Sequence, residues 1–266
     1  MVFREVNDEV WEIISPYFPP QKAKTGRPRA NLRDSFNGIL YVLITGITWM
    51  DVPRMYGNKS TIHRLHLELC DTGAYEKIFD EMRSKGYLDG KIDLSRCNID
   101  TKDIPAKKRG EIGYDGNKKI KGSKISAITE SHGLPIALFV SPANVHDSKL
   151  YMPTISKLKI KLESGRPITR PKLINADKAY DSKEIRNYNR HRGIISNIPV
   201  NKRNRKNPKI GRPIKLDKEE YKGRGAVERL FSWIEAYKKV YPRHERLEKS
   251  YLGLVLLAGC IMLWRV

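Results

Sequence analysis

The spacing of apolar residues changes once along this chain, near residue 89, and that change restricts the possible folds more than any other feature. Before it, apolar side chains recur at helical intervals, as at Phe36, Ile39 and Leu43, which predicts amphipathic helices. After it, three strand patterns, of which the last two form a hairpin over residues 124–140, are followed by helix, strand, helix, strand and helix patterns. That order is typical of a mixed sheet of the RNase H type. We therefore expect an all-α domain over residues 1–88 and an α/β domain with a mixed RNase H-like sheet over residues 89–266.

The charge of the chain favours a polyanionic partner. Lysine and arginine number 51 against 30 acidic residues, which gives a formal net charge of +21. Such a charge favours nucleic acid, because each neutralised phosphate releases condensed counterions; the alternative is a basic surface with no such partner. The most apolar segment, residues 251–264, is shorter than a bilayer span, so we expect a buried helix and no membrane association. Three widely spaced cysteines are typical of a reducing cytoplasm.

A helix-turn-helix unit is predicted in the N-terminal domain. The segment 49–56 is followed by a turn at Gly57 and by a helix that we expect Ser60 to cap. In that arrangement Lys59, Thr61 and Arg64 face a DNA groove. The alternative is an ordinary corner of a helical bundle.

Three acidic residues stand out in the second domain. Asp100 and Asp177 each close a short strand pattern, and Glu228 lies on a helix predicted to run from Glu219 onward. Two strand-end aspartates and one helix glutamate can hold a pair of Mg²⁺ ions, for which Mn²⁺ substitutes, and such a pair drives phosphodiester chemistry. Taken singly, the aspartates also fit turn or cap positions, and Glu228 also fits an ion pair with Arg224.

The chain resembles the DDE transposases of bacterial insertion sequences, in the group with a Tyr–Arg–Glu–Lys signature, and looks similar to the insertion sequence five family. The resemblance covers nearly the whole chain, and its most specific stretches lie in the second domain. These stretches are residues 115–122, 143–148, 176–182 and 227–233. The resemblance implies a catalytic triad of Asp100, Asp177 and Glu228. On a continuous helix, Arg224 and Tyr221 lie four and seven residues before Glu228 on its own flank, so we expect Arg224 to bind a phosphate and Tyr221 to contact the DNA backbone near the scissile bond.

One signature position departs from the family. The expected lysine falls at Glu235, and Lys239 is the replacement we predict, because eleven residues return close to the same face of a continuous helix. Further backbone contacts are expected from the lysines of the predicted hairpin region. These are Lys118, Lys119, Lys121 and Lys124.

The resemblance implies a transposase that binds the terminal inverted repeats of its element as double-stranded DNA, as a homodimer or larger assembly. It also implies metal-dependent strand cleavage followed by strand transfer, carried out in the bacterial cytoplasm on the nucleoid. Two alternatives stay open from the residues. One is an RNase H-fold nuclease that cleaves without joining, and the other is a helix-turn-helix regulator whose carboxylates are structural.

Overall fold

The computed structural model describes residues 2–22, 28–107, 110–202 and 214–265. These residues form two compact units. The helical unit comprises Met1–Met82, Pro105–Glu111 and Trp233–Val266, and the sheet unit comprises Arg83–Ile104 and Ile112–Ser232. The helical unit therefore includes C-terminal residues that the sequence pattern assigns to the second domain. The division of the chain at residue 88 stays a prediction.

Four amphipathic helices, as the apolar spacing predicts, and one helix that is buried on nearly all sides build the described part of the helical unit. The amphipathic helices are α1 (Asp8–Ile14), α2 (Leu32–Thr45), α3 (Lys59–Asp71) and α4 (Ala74–Leu88), and the buried helix is α9 (Glu248–Trp264); α4 continues into the sheet unit. Helix α2 begins after Asn31, whose side chain accepts the Arg33 and Asp34 amides, and ends at Gly46 in the left-handed region with φ 74°. A Cβ at Gly46 would lie 2.6 Å from Cβ of Lys238, so both conformation and space require glycine here.

The start of α3 differs from the sequence prediction. Asn58, not Ser60, caps the helix, and its side-chain oxygen accepts the Ser60 amide at 3.0 Å. Asparagine two residues earlier competes for the same cap, and its amide oxygen also accepts the Ser60 hydroxyl at 2.8 Å. The helix consequently begins at Lys59.

The apolar C-terminal segment forms the buried helix that the sequence predicts, α9. No helix in the described part of the chain is long and apolar enough to cross a membrane. Beneath α9, the imidazole of His66 is fully buried between the Tyr75 hydroxyl at 2.8 Å and the Ser250 hydroxyl at 3.0 Å. Ser250 in turn donates to Glu245 at 2.9 Å, so this polar group is satisfied within the helical unit.

A six-stranded mixed sheet forms the centre of the sheet unit, which confirms the predicted α/β class. Its strands are β1 (Arg96–Pro105), β2 (Gly113–Asp115), β3 (Ile120–Thr129), β4 (Pro135–Pro142), β5 (Leu173–Asn175) and β6 (Ile195–Asn197). The order is β2-β3-β1-β5-β6, with β4 also paired to β3. The β3–β4 hairpin is antiparallel, whereas β5 pairs in parallel with both β1 and β6. Only the short strand β2 has no counterpart in the sequence prediction.

The helices of the sheet unit are α5 (Asp147–Ser156), α6 (Lys183–Arg192), α7 (Lys218–Lys222) and α8 (Gly225–Glu235), the last of which ends in the helical unit. The continuous helix predicted from Glu219 onward is wrong. Gly223 ends α7 as its C-cap, and Gly225 begins α8. Two glycines in three positions disfavour an uninterrupted helix, so the chain turns at Arg224.

Candidate active site

Asp100 and Asp177 lie at equivalent positions on neighbouring parallel strands. The last paired residues of β1 and β5 are Asn98 and Asn175, and each aspartate follows its asparagine by two residues. Beyond this point β1 continues to Pro105, whereas β5 ends and Asp177 caps the short 3₁₀ helix Lys178–Tyr180 by accepting the Ala179 amide at 2.7 Å. The parallel register therefore brings the two carboxylates to the same edge of the sheet.

Asp100 is held in a partly buried, polar position. One carboxylate oxygen accepts the Thr101 amide at 2.8 Å, and the other accepts Nη2 of Arg224 at 2.7 Å. Burial raises the pKa of Asp100, and the nearby charge of Asp177 raises it further, while the Thr101 amide and the Arg224 guanidinium oppose both effects. The two carboxylates thus lie close enough for one charge to act on the other.

Arg224 connects Asp100 to Tyr221. Its Nη1 donates to the Tyr221 hydroxyl at 2.8 Å, and its guanidinium carbon lies 5.4 Å from the centre of the tyrosine ring. Its Nε is buried with no hydrogen-bond partner among the described residues. The predicted neighbourhood of Tyr221 and Arg224 is therefore present. The turn between α7 and α8 brings these two side chains together, whereas the sequence analysis placed them on a single continuous helix.

A ladder of buried asparagines holds α7 against the strand ends. Asn175 donates to the side chain of Asn98 at 2.9 Å and to the carbonyl of Glu220 at 3.1 Å, and Asn197 donates to the side chain of Asn175 at 2.8 Å. Asn197 also exchanges two 2.9 Å hydrogen bonds with the backbone of Asp217. These residues were missed by the sequence analysis. The signal that reveals two of them is a repeated pattern, Asn-x-Asp, at 98–100 and 175–177.

Glu228 is not drawn into a cluster with the aspartates. It lies in the first turn of α8 with an exposed side chain. Within the described ranges, no three carboxylate, imidazole or thiol groups converge as a metal site. The structure thus brings together Asp100, Asp177, Arg224 and Tyr221, while the role of Glu228 as a third ligand stays a prediction.

The lysines of the hairpin region divide into two groups. Lys119 and Lys121 are exposed, and Lys118 is half-exposed with its ammonium 2.5 Å from the buried carboxylate of Asp103. Lys124 is different, because its side chain is only 4% exposed and its ammonium lies 2.8 Å from Asp147. The predicted DNA contact by Lys124 is therefore wrong, since neighbouring aspartates offset its charge inside the fold.

The residues of the helical unit that were predicted to contact DNA differ in their exposure. Lys59 and Arg64 are exposed on α3 and Thr61 is half-buried between them. Lys239 lies beyond the end of α8, so the helical argument that placed it on the face of Glu228 is wrong. Its ammonium is buried, donates to the Ile47 carbonyl at 3.1 Å and lies 3.8 Å from Glu245. This position contradicts the DNA contact predicted for Lys239.

The mixed sheet, with Asp100 within β1 and Asp177 at the matched position just after β5, has the organisation of an RNase H-like domain. The chain belongs to the DDE transposase family. The model of the family described as "Transposase DDE domain" matches residues 93–263, and that described as "Putative transposase of IS4/5 family" matches residues 6–79. The predicted family is confirmed at this level, whereas the Tyr–Arg–Glu–Lys signature stays a prediction. Proteins of the DDE family generally use divalent metal ions.

Two of the relatives that the chain resembles in sequence are described as putative transposases of insertion sequences. The chain is 30% identical over 144 residues to "Putative transposase for insertion sequence element IS402" of Burkholderia cepacia, a match that covers 54% of the chain and 63% of that protein. It is 28% identical over 142 residues to "Putative transposase for insertion sequence element IS6501" of Brucella ovis, covering 53% of the chain and 97% of that protein. The chain thus spans less than two thirds of the IS402 transposase.

Among solved structures, the piggyBac transposase synaptic complex with hairpin DNA aligns with 96% of this chain and 70% of that one, at 12% identity and a TM-score of 0.49. The Mos1 strand transfer complex aligns with 91% of this chain and 80% of that one, at 11% identity and a TM-score of 0.26. Likenesses at this level add no argument about the chemistry of this chain.

Proposed function

We propose that this chain is a transposase that binds the terminal inverted repeats of its own element, cuts the DNA there and joins the freed end to target DNA. The observation that carries the proposal is the placement of Asp100 on β1 and of Asp177 just after β5 at matched positions of the parallel register, with Arg224 bonded to Asp100. Paired carboxylates beside an arginine suit reactions at phosphorus, because they combine cation ligands with a phosphate-binding group.

The residues of the pair fit a divalent cation. Carboxylate oxygens are the ligands that Mg²⁺ prefers, and Asp100 is a partly buried carboxylate whose charge is offset by the Arg224 guanidinium. We propose two Mg²⁺ ions, replaceable by Mn²⁺, held by Asp100 and Asp177 with Glu228 as the further ligand. When bound, such ions activate the attacking oxygen and stabilise the leaving oxygen of an in-line displacement.

The residues around the pair have separable tasks in this proposal. Arg224 exchanges its bond to Asp100 for a DNA phosphate, since a guanidinium binds phosphate with two parallel hydrogen bonds. Tyr221 limits the orientations of the guanidinium through its hydroxyl and ring. Glu228 must approach the pair from its exposed position on α8 if it is to act as a ligand.

DNA contacts outside the pair come from exposed basic and polar side chains in both units. In the sheet unit we propose Lys119 and Lys121, with Lys118 free to exchange its bond to Asp103 for a phosphate. In the helical unit we propose Lys59, Thr61 and Arg64 of α3. Two element ends must be joined in one assembly, so we propose that at least two copies of the chain act together, in the cytoplasm and on nucleoid DNA.

The test is a joining assay with a linear fragment that carries the flanks of the gene, a supercoiled plasmid and Mg²⁺. We expect cleavage at the fragment end and joined products from the wild type. We expect neither from Asp100→Asn, because the substitution removes the ligand charge but preserves the size of the side chain. Glu219→Gln is the matched control, since Glu219 is an exposed carboxylate paired with Lys222 on α7.

Each alternative gives its own result in this assay. Cleavage without joined products supports a nuclease, and tight binding with no turnover supports a regulator. Wild-type activity in Asp100→Asn would show that the aspartate pair is not the catalytic site.

A further inference from the structure

Tyr180 is the side chain that the proposed function leaves unexplained. It ends the 3₁₀ helix that Asp177 caps, and its backbone amide donates to the Asp177 carbonyl at 3.1 Å. The residue is 0% exposed, yet its hydroxyl has no hydrogen-bond partner among the described residues. A buried hydroxyl without a partner is unfavourable, and phenylalanine would fill the same space without that cost.

Tyr180 lies near the aspartates of the candidate site, because it belongs to the 3₁₀ helix that begins directly after Asp177. After burial, the charges that act on it most strongly are those of Asp100, Asp147 and Asp177, and all three raise its pKa, while Arg224 lowers it. The ring packs against Tyr151, whose ring centre lies 6.2 Å away. The unpartnered hydroxyl thus belongs to a buried ring within electrostatic reach of the aspartate pair.

The neighbouring carboxylates already have other donors. Asp100 uses both of its oxygens, for the Thr101 amide and for Arg224. One oxygen of Asp177 accepts the Ala179 amide. One oxygen of Asp147 accepts both the Thr101 hydroxyl and the Lys124 ammonium, each at 2.8 Å. None of these carboxylates bonds the Tyr180 hydroxyl, as expected if its partner is an oxygen that enters with a ligand.

We propose that Tyr180 is a positioning residue for the divalent cation of this site. Its hydroxyl donates a hydrogen bond to an oxygen of the solvent shell that the cation carries when Asp100 and Asp177 bind it. The hydrogen bond restricts where the cation lies between the carboxylates, in the way that outer-shell partners orient metal sites generally. This inference rests on the proposed function of the aspartate pair.

The test compares Tyr180→Phe with Tyr237→Phe in the full-length protein. Tyr237 is the matched control, because it is also 0% exposed with an unpartnered hydroxyl, but it belongs to the helical unit. Mn²⁺ is the probe, and its binding is measured by the loss of the paramagnetic resonance signal of the free ion. Thermal unfolding without metal is measured on the same samples.

We expect Tyr180→Phe to weaken Mn²⁺ binding by about three- to tenfold, as for the loss of one hydrogen bond. We expect its midpoint of unfolding without metal to stay equal or rise, because the variant removes an unsatisfied buried group. Tyr237→Phe should bind Mn²⁺ as the wild type does. Equal Mn²⁺ affinity in Tyr180→Phe, or a lower midpoint without metal, would overturn the assignment.

A third variant separates this inference from the proposed function. If Asp100→Asn abolishes Mn²⁺ binding while Tyr180→Phe leaves it unchanged, only the role of Tyr180 is refuted. If Asp100→Asn binds Mn²⁺ as the wild type does, the aspartate pair is not the metal site and both proposals are refuted.

Discussion

The ion pair between Arg224 and Asp100 allows a stability prediction that needs neither DNA nor metal. The two side chains are 21% and 22% exposed, and their charged atoms lie 2.7 Å apart. Exposed pairs contribute about 0–1 kcal/mol, whereas breaking a buried pair costs about 3–5 kcal/mol, because one charge is left uncompensated. For this partly buried pair we expect Arg224→Gln to lower the free energy of unfolding by about 1–3 kcal/mol at neutral pH.

The loss of stability in Arg224→Gln must grow as the pH rises from acid to neutral. Burial raises the folded-state pKa of Asp100, and Arg224 opposes that shift, so removing the guanidinium raises the pKa further. Asp100 then binds protons more readily in the folded state than in the unfolded state, and stability falls as pH rises through that window. Below the unfolded-state pKa of about 4, Asp100 is protonated in both proteins and its contribution to the difference vanishes.

The assay is urea denaturation of wild type and Arg224→Gln over a pH series from acid to neutral. The matched control is Arg96→Gln, whose partner Glu220 lies 3.1 Å away in a pair that is 36% and 40% exposed. We expect that control to lose no more than about 0.5 kcal/mol. A loss in Arg224→Gln that is equally large in acid, or no larger than in the control, would refute the reasoning.

Three further predictions concern buried polar groups and one concerns a thiol. Burial lowers the pKa of His66 from 6.5 to about 4. Acidification between these values should therefore lower the free energy of unfolding by up to about 3 kcal/mol in urea titrations. His66→Gln should weaken this dependence of stability on pH. Arg83 is fully buried and donates to the carbonyls of Lys157 and Lys159 at 3.0 and 2.6 Å. Arg83→Met should lower the free energy of unfolding in urea by about 2–4 kcal/mol, because these carbonyls lose their donor, and Arg83→Lys should not restore it. Asn175→Leu should lower the free energy of unfolding by about 2–4 kcal/mol by calorimetry, because Asn98 and the Glu220 carbonyl lose the donor that Asn175 supplies and Asn197 loses one of its acceptors. Cys97, buried and with its pKa raised by that burial, should resist maleimide until the protein unfolds.

Local patterns of apolar residues in the sequence predicted most elements of the fold. Helical spacing located α2, because it reports directly on the one face of that helix that is buried. The apolar run at 251–264 located α9, and alternation with a turn located the β3–β4 hairpin, although α9 and both strands are buried on nearly all sides. The interruption between α7 and α8 was not anticipated, although two glycines flank Arg224, because the apolar stripe resumes after it at Val227. Periodicity responds to the stripe and is insensitive to a short break in the backbone.

The sequence predicted only some residues of the candidate site and its surroundings correctly. Asp100 and Asp177 could be found because both come late in an apolar strand pattern, and the parallel register then matches their positions. The prediction that Asp100 ends its strand is wrong, because β1 continues to Pro105 through its further pairing in the sheet. The burial of Lys124 and Lys239 could not be found, since a lysine paired inside a fold has the same sequence pattern as one on a surface. The partner that decides the difference, Asp147 for Lys124, is set by tertiary packing alone.

The central claim is that Asp100 and Asp177 are ligands of a divalent cation used in DNA cleavage. The most direct measurement is the cleavage rate of the element-end fragment by Asp100→Cys and Asp177→Cys, each in Mg²⁺ and in Mn²⁺. A thiolate is a poor ligand for Mg²⁺ and a better one for Mn²⁺, so a ligand position changed to cysteine alters the metal requirement. We predict loss of cleavage in Mg²⁺ and partial recovery in Mn²⁺ for both variants, whereas wild-type cleavage in Mg²⁺ by either one would contradict the account.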